Sequence, residues 1–437
     1  MLAAVLFIGS IGAYALAVNP SFDTIIQPGS MMSSASVIVF RDATKTYFVL
    51  NGTTGAIETS GVSATTVLQY AITITPPNGL MFVRVGFYEI DAPGLLVQNA
   101  ITIQGEGMDP TGRAGGTVLG CHGSAYGPIL NVSTQAYWFP YFSLRSFTVV
   151  SCTAKDGIHL YSGAAGVLGY GHVEDVRVYS NGISGTPAGW YLRGVISSTF
   201  INVLSDTEYY GFRLSNSPTP AQSNFNKFIG GRAYNDQIGV YIDGQSSNNI
   251  IQGMDFGAAD FGIYLSNANQ TLISGNWFEA TTDTVIFLLY PSSATEIFSN
   301  KIDVPSGVTG VWDNALRTRA LANQFSGVGT KVAFGSNFLE GYYADNIFYN
   351  PRGQITSPID ATHATIGACA TTCSATVSSW ANYTVQGYDL YVNVASSSFN
   401  VYSPTGILIA SNVVSYYVTF GYRVAFSGTP TIGVFGS

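Results

Sequence analysis

The chain has 437 residues and a formal net charge of −8, with only 10% charged residues against 46% hydrophobic ones. That length supports a large core and more than one domain, and the regular spacing of the apolar residues excludes disorder. An acidic chain without a Lys/Arg cluster argues against a nucleic-acid partner.

The N-terminus, "MLAAVLFIGSIGAYALAV", is an apolar run long enough for a short membrane helix or the core of a signal peptide. No Lys or Arg precedes Arg41, so the positive leader region is missing. Residues 1–20 are therefore read as a hydrophobic anchor helix, seated in a bilayer or against partner subunits, with a cleaved signal as the rival. Residues 21–64 read as short strands and turns, with Asn51-Gly52 as a turn between two strands. In "ATTVLQYAITI", Val67, Leu68, Ala71 and Ile72 are spaced for one face of a helix behind a Thr cap. Short strands follow in "LMFVRVGFYEI", "LLVQNAITIQGEG" and "GGTVLGC".

This order of helix, "GFYEI", "ITIQGEG" and "TVLGC" resembles the start of the pectate-lyase-like right-handed parallel β-helix proteins, a superfamily that includes phage tailspikes and archaeal surface proteins. "YFVLNGTTGAIETSGVSATTVLQYAI" resembles the archaeal surface members. The resemblance spans roughly residues 35–350. It implies an all-β solenoid, but no particular activity, since lyases, hydrolases, isomerases and non-catalytic adhesins share the fold. By analogy with tailspikes it also implies a homo-oligomer, with a trimer favoured.

An internal repeat points the same way. Aligning "GGRAY", "QGMDF", "SGNWF", "SNKI", "ANQF" and "DNIF" gives a column Arg232, Met254, Asn276, Asn300, Asn323, Asn346, at spacings of 22, 22, 24, 23 and 23. Two residues on, Tyr234, Phe256, Phe278, Ile302, Phe325 and Phe348 form an apolar column. A second strand recurs in each repeat as "GFRLSN", "GVYIDG", "GIYLSN", "VIFLLY", "GVWDN" and "KVAFGSN". Such a period marks a solenoid whose coils stack at about 4.8 Å. Asn at a tight bend tolerates left-handed backbone and bonds its neighbour in the stack, so the asparagines read as a structural ladder. The solenoid is assigned to residues 65–355. Residues 356–437 alternate polar and apolar residues and read as a β-sandwich-like domain, and "VTFGYRVAFSGTPTIGVF" resembles the ends of tail-fibre and lectin-like modules.

Cys369 and Cys373, in "CATTC", read as a short-loop disulfide, with a zinc half-site as the alternative. Cys121 and Cys152 are either a cross-strand pair or buried thiols. Sequons at Asn51, Asn131, Asn269 and Asn382 mark candidate glycosylation sites. Few lysines, disulfides and sequons together fit an extracellular, cell-surface or virion-surface location.

No P-loop, nucleophile elbow, zinc-protease or EF-hand motif occurs in a fitting context. His122, His159, His172 and His363 are scattered without ligand spacing, and no metal or cofactor is expected. β-Helix glycosidases use paired carboxylates. In the aligned frame Asp206 and Asp236 fall on one face a coil apart, about 5 Å, with Glu208 beside them. These three are the catalytic candidates if the protein is an enzyme. Tyr209, Tyr210, Arg213 and Arg232 surround them as candidate glycan binders. "VEDVR" (Glu174, Asp175, Arg177) is a further candidate. The expected function is a spike-like structural or adhesion protein contacting glycans or a host surface. A polysaccharide lyase or glycoside hydrolase and a purely structural shell or filament subunit are the alternatives.

Overall fold

The computed structural model describes residues 35–349, apart from short internal stretches, together with the backbone of seven strands between 363 and 436. The anchor expected at 1–20, the Cys369/Cys373 pair and Asn382 lie outside the described residues.

A meander of Val37–Arg41, Tyr47–Asn51 and Ile57–Gly61 opens the fold, each strand antiparallel to the next. Asn51 makes the expected turn, its Oδ1 accepting the N–H groups of Thr53 and Thr54 at 3.0 Å each. Helix α1 follows (Ala64–Ile74). Its cap is Ser63 rather than a Thr: the Ser63 hydroxyl accepts the Thr66 N–H at 3.3 Å. The buried face is Ala64, Val67, Leu68, Ala71 and Ile72, so the helical spacing read from the sequence holds.

From Leu80 onward the chain winds as a right-handed parallel β-helix. Each coil contributes to a long sheet, which folds at a corner into two flanks, and to a second sheet of ten parallel strands from Leu95–Val97 to Thr330–Phe334. Coil pairs with coil by parallel ladders, such as Phe256 with Phe278 and Ile263 with Ile286. The interior is a set of like-on-like stacks. Phe200 lies on Phe228 at 4.7 Å and Phe256 on Phe278 at 4.8 Å between ring centres. Inward side chains are forced into columns because the ladder fixes their spacing at one strand separation.

The corner between the two flanks carries the asparagine ladder. Asn276 donates its backbone N–H and its Nδ2 to Asn300 Oδ1 at 2.9 and 3.0 Å. Asn300 does the same to Asn323 at 2.9 and 2.9 Å, and Asn323 to Asn346 at 3.0 and 2.9 Å. Each amide also donates to a carbonyl one coil back, as Asn300 Nδ2 does to Ile273 O at 2.9 Å. The left-handed residue at this corner is not the asparagine but the one before it: Gly275 (φ 63), Ser299 (φ 52) and Ala322 (φ 55). The asparagine satisfies the backbone groups that the bend leaves unpaired.

Cys121 and Cys152 are joined, with Cα atoms 5.2 Å apart, which ties neighbouring coils where Gly120 pairs with Val150. At the far end the parallel ladder runs past residue 355 through His363–Gly367 to Tyr388–Val392. Antiparallel pairing then takes over, with Gly421–Phe426 between Tyr388–Val392 and Ser415–Val418. Phe399–Tyr402 lies between Leu408–Val413 and Val434–Gly436. The sandwich expected at 356–437 rests on side-chain packing outside the described residues.

Asn300 is 1% exposed and its side chain holds four hydrogen bonds. Asn300→Ala would strand a buried N–H and a carbonyl, at a cost of about 3 kcal/mol. Urea denaturation is expected to show the loss; a change under about 0.5 kcal/mol would remove the ladder's structural role.

Candidate functional site

The site region lies where the ladder is least regular, and there the register differs from the sequence alignment. Arg232 pairs with Asp255 and Ala233 with Phe256. Gly231 and Ala233, not Arg232 and Tyr234, therefore occupy the ladder and apolar columns. A slip of one residue turns each side chain to the other face, so Arg232 points outward. Asp206 pairs with Tyr234 and not with Asp236. The two carboxylates expected on one face are thus on different ones.

Asp206 is 4% exposed and clamped between arginines of the coils on either side. Its Oδ2 accepts from Arg177 Nε and its Oδ1 from Arg232 Nη2, both at 2.8 Å. The two guanidinium groups lie 5.4 and 5.0 Å from the ring centres of Tyr179 and Tyr234. Glu208 and Asp236 go inside the wall, 0% and 1% exposed. Asp236 Oδ1 accepts the Glu208 N–H at 2.8 Å and the Ser205 hydroxyl at 3.3 Å. Glu208 Oε1 accepts from Ser151 Oγ at 2.6 Å. Burial pushes the Glu208 carboxyl up to about 8, with the Asp156 charge adding to it. A nucleophile or general acid must reach its substrate, and these two carboxyls face only protein.

Tyr209, Tyr210 and Arg213 do come together, on the outer side of the second sheet. The two tyrosine rings are 4.6 Å apart and the Arg213 guanidinium is 5.1 Å from the Tyr210 ring centre. They belong to a larger feature missed in the sequence reading. Tyr191, Arg213, Tyr241, Tyr264, Phe287, Trp312 and Ala333 occupy one register column along the second sheet. Successive ring centres lie 5.3 Å apart for Tyr241–Tyr264, 4.6 Å for Tyr264–Phe287 and 4.4 Å for Phe287–Trp312. Arg213 sits within 5.3 and 5.9 Å of Tyr191 and Tyr241, with Asp243 at 3.8 Å. All of these side chains are half-buried. The signal was present in "GWYL", "GVYI", "GIYL" and "GVWD", where the third residue is aromatic.

A separate groove of about 730 Å³ crosses the first coils, lined by Phe82, Arg84, Gln104, Glu106, Met108 and Asp175 among others. Glu106 is held by Arg84 Nε at 2.8 Å and the Val85 N–H at 2.7 Å, and Asp175 by Asn202 Nδ2 at 2.6 Å. Asp175 belongs to "VEDVR"; Glu106 was not singled out from the sequence.

The described histidines stay apart, each with its own carboxylate. His122 Nδ1 is 2.7 Å from Asp91, His159 Nε2 is 2.8 Å from Asp156 and His172 Nε2 is 3.2 Å from Glu174. Among the sequons, Asn51 Nδ2 donates to Glu58 at 3.0 Å and Asn269 Oδ1 accepts from Ser293 at 2.8 Å. Asn131 opposes His159 in the second sheet.

A family described as "Periplasmic copper-binding protein (NosD)" matches residues 143–351. Copper sites need converging His, Cys or Met donors. Among the described residues no group of three or more His, Cys, Asp or Glu side chains is placed to hold a metal ion, and Cys121 and Cys152 are joined to each other. The described His, Cys, Asp and Glu residues do not fit a copper site. No curated protein matches the chain. Among solved structures, the A-module of Azotobacter vinelandii mannuronan C-5 epimerase AlgE4 is 16% identical over 65% of this chain and 91% of its own, with a TM-score of 0.47. A tailspike double mutant of E. coli bacteriophage HK620 is 11% identical over 86% and 90%, with a TM-score of 0.46. ORF18 of Geobacillus virus E2 is 12% identical over 86% and 73%, with a TM-score of 0.43. Pairing and coil geometry define the described part of the chain as a right-handed parallel β-helix.

The Asp206 clamp makes a quantitative comparison. Asp206→Ala leaves Arg177, whose side chain is 10% exposed, buried and unpaired, at a cost of about 3 kcal/mol. Arg232 is 37% exposed, so Arg232→Ala is expected to cost less than half of that. Equal losses in chemical denaturation would contradict the clamp.

Proposed function

We propose that the chain is an extracellular or virion-surface structural and adhesion protein, spike-like in build, that contacts glycans along the outer face of the second sheet. The observation that carries this reading is the aromatic column from Tyr191 to Trp312, together with Tyr209, Tyr210 and Arg213. An aromatic strip with an arginine and tyrosine hydroxyls offers apolar edges and hydrogen bonds side by side, which suits the alternating CH and OH surface of a sugar. The stacked rings present edges to solvent over Phe287 and Trp312. At the end of the column Trp312 is followed by Ala333, so a methyl and not another ring lies beside the indole on that side. The cross-coil disulfide fits an oxidising location. Among the described residues no helix is long and apolar enough to cross a membrane; anchoring is assigned to residues 1–20. Outward Ile229 and Phe298, 39% and 47% exposed on the long sheet, favour self-association, with a trimer as the working expectation.

A glycan array probed with the full chain tests the reading. Tyr241→Ala and Trp312→Ala are each expected to weaken the bound signal by roughly tenfold, and Trp312→Ala more than Phe287→Ala. Unchanged binding in all three variants would sink the outer face as the contact surface.

A second reading, polysaccharide cleavage, is favoured by the groove with Glu106 and Asp175. Incubation with the array's best-bound polysaccharide, followed by chain-length analysis, separates the two. Product shortening abolished by Asp175→Asn would replace the adhesin with an enzyme. Binding without shortening supports the adhesin.

A further inference from the structure

The second sheet has a glycine column on its inner side, formed by Gly189, Gly211, Gly239 and Gly262. At Gly239 and Gly262 the space against the glycine is filled by the rings of Phe256 and Phe278, within 2.8 Å of where a Cβ would stand. At Gly189 and Gly211 the fillers become polar side chains. A Cβ on Gly211 would stand 2.5 Å from Asp236 Oδ2, and one on Gly189 would stand 2.6 Å from Ser205 Oγ and 3.3 Å from the Glu208 Cγ methylene. An acid and a serine beside a second acid thus take the place of core aromatics in consecutive coils.

Their hydrogen bonding falls short of what two buried carboxylates need. Glu208 accepts from one donor, the Ser151 hydroxyl, and Asp236 from two, the Glu208 N–H and the Ser205 hydroxyl, each group through one oxygen only; Glu208 Oε2 and Asp236 Oδ2 have no partner. An ionised buried carboxylate needs several donors or a cation. The charges around the pair are of the wrong sign. Asp156 faces Glu208, while Glu208 and Asp206 face Asp236. The nearby arginines, Arg177 and Arg232, are bonded to Asp206. We propose that Glu208 and Asp236 are buried as neutral acids, so that the coils around them are firmest in an acidic medium and loosen when it turns alkaline.

Burial is the main cause that raises both groups, Glu208 to about 8 and Asp236 well above its ordinary value. The folded chain then holds protons that the unfolded chain has released. The stabilisation is complete below the ordinary carboxylate range and is lost as pH rises toward and through about 8. Asp313, 0% exposed and bonded to Tyr343, Thr318 and the Ala315 N–H, is raised to about 6 by burial and acts in the same direction. Buried Lys331, lowered to about 8 by burial, is protonated in both states below that pH and leaves the slope there unchanged.

Denaturant midpoints of the full chain from about pH 5 to about pH 8 test the proposal. The unfolding constant is expected to rise at least tenfold over that range, and Glu208→Gln, which keeps the neutral shape, to remove a clear part of the rise while Asp236 and Asp313 keep the rest. An Asp206→Asn control is expected to keep it. A stability that is flat or increases with pH, or a Glu208→Gln protein with the parent's slope, would overturn the idea. A readout on the unmutated chain covers the case in which the variant fails to fold. A protonated-carboxyl band in the infrared spectrum at about pH 7 supports the pair, and its absence refutes it.

Discussion

Everything in the described solenoid depends on the parallel ladder between one coil and the next. A single coil has no way to bury its own apolar face or pair its own backbone. Once coils stack, each inward position meets its equivalent at one strand spacing, and the side chains become columns. This explains why phenylalanine lies on phenylalanine and asparagine on asparagine. It also explains why the same constraint works outside, where Tyr241, Tyr264, Phe287 and Trp312 line up without any need to pack a core.

Polar columns and apolar columns solve different problems under that constraint. The asparagine ladder supplies donors and acceptors at a corner where the strand pairing is interrupted. The left-handed residue ahead of it makes the turn, and serine or alanine is accepted there despite the steric cost. Ladder bonds that link four successive coils, Asn276 to Asn346, offset this cost by pairing the corner amides. Where the ladder stops, at Gly231 and Val203, the chain places charges instead: Asp206 outside between two arginines, Glu208 and Asp236 inside with none.

Much of this was legible in the sequence. The period near 23, the ladder asparagines, the helical face of α1 and the turn at Asn51 follow from spacing and residue type alone. The miss at Arg232 and Tyr234 has a definite origin. With glycine in the ladder position, nothing in "GGRAY" tells Gly231 from its neighbours, and a one-residue choice decides which side chains face out. The alignment preferred the bulky Tyr234 for the apolar column, yet small Ala233 fills it. That slip carried Asp206 and Asp236 onto a common face they do not share. The outer aromatic column went unread for a related reason. The second strand shows its repeat through its apolar inward residues, whereas the outward position varies among Tyr, Arg, Phe and Trp, which share a surface and not a core.

The Gln69 side chain of α1 has a consequence for how copies of the chain can meet. Its Nε2 donates to Leu96 O at 2.9 Å and its Oε1 accepts the Leu96 N–H at 2.8 Å. Leu96 lies in the first strand of the second sheet, so one amide occupies both hydrogen-bonding groups that a docking strand would seek. A seal of this kind gives the solenoid a direction. Growth by adding another chain's coil to this end of the second sheet is blocked at the backbone, and association there must proceed through side chains on the flanks.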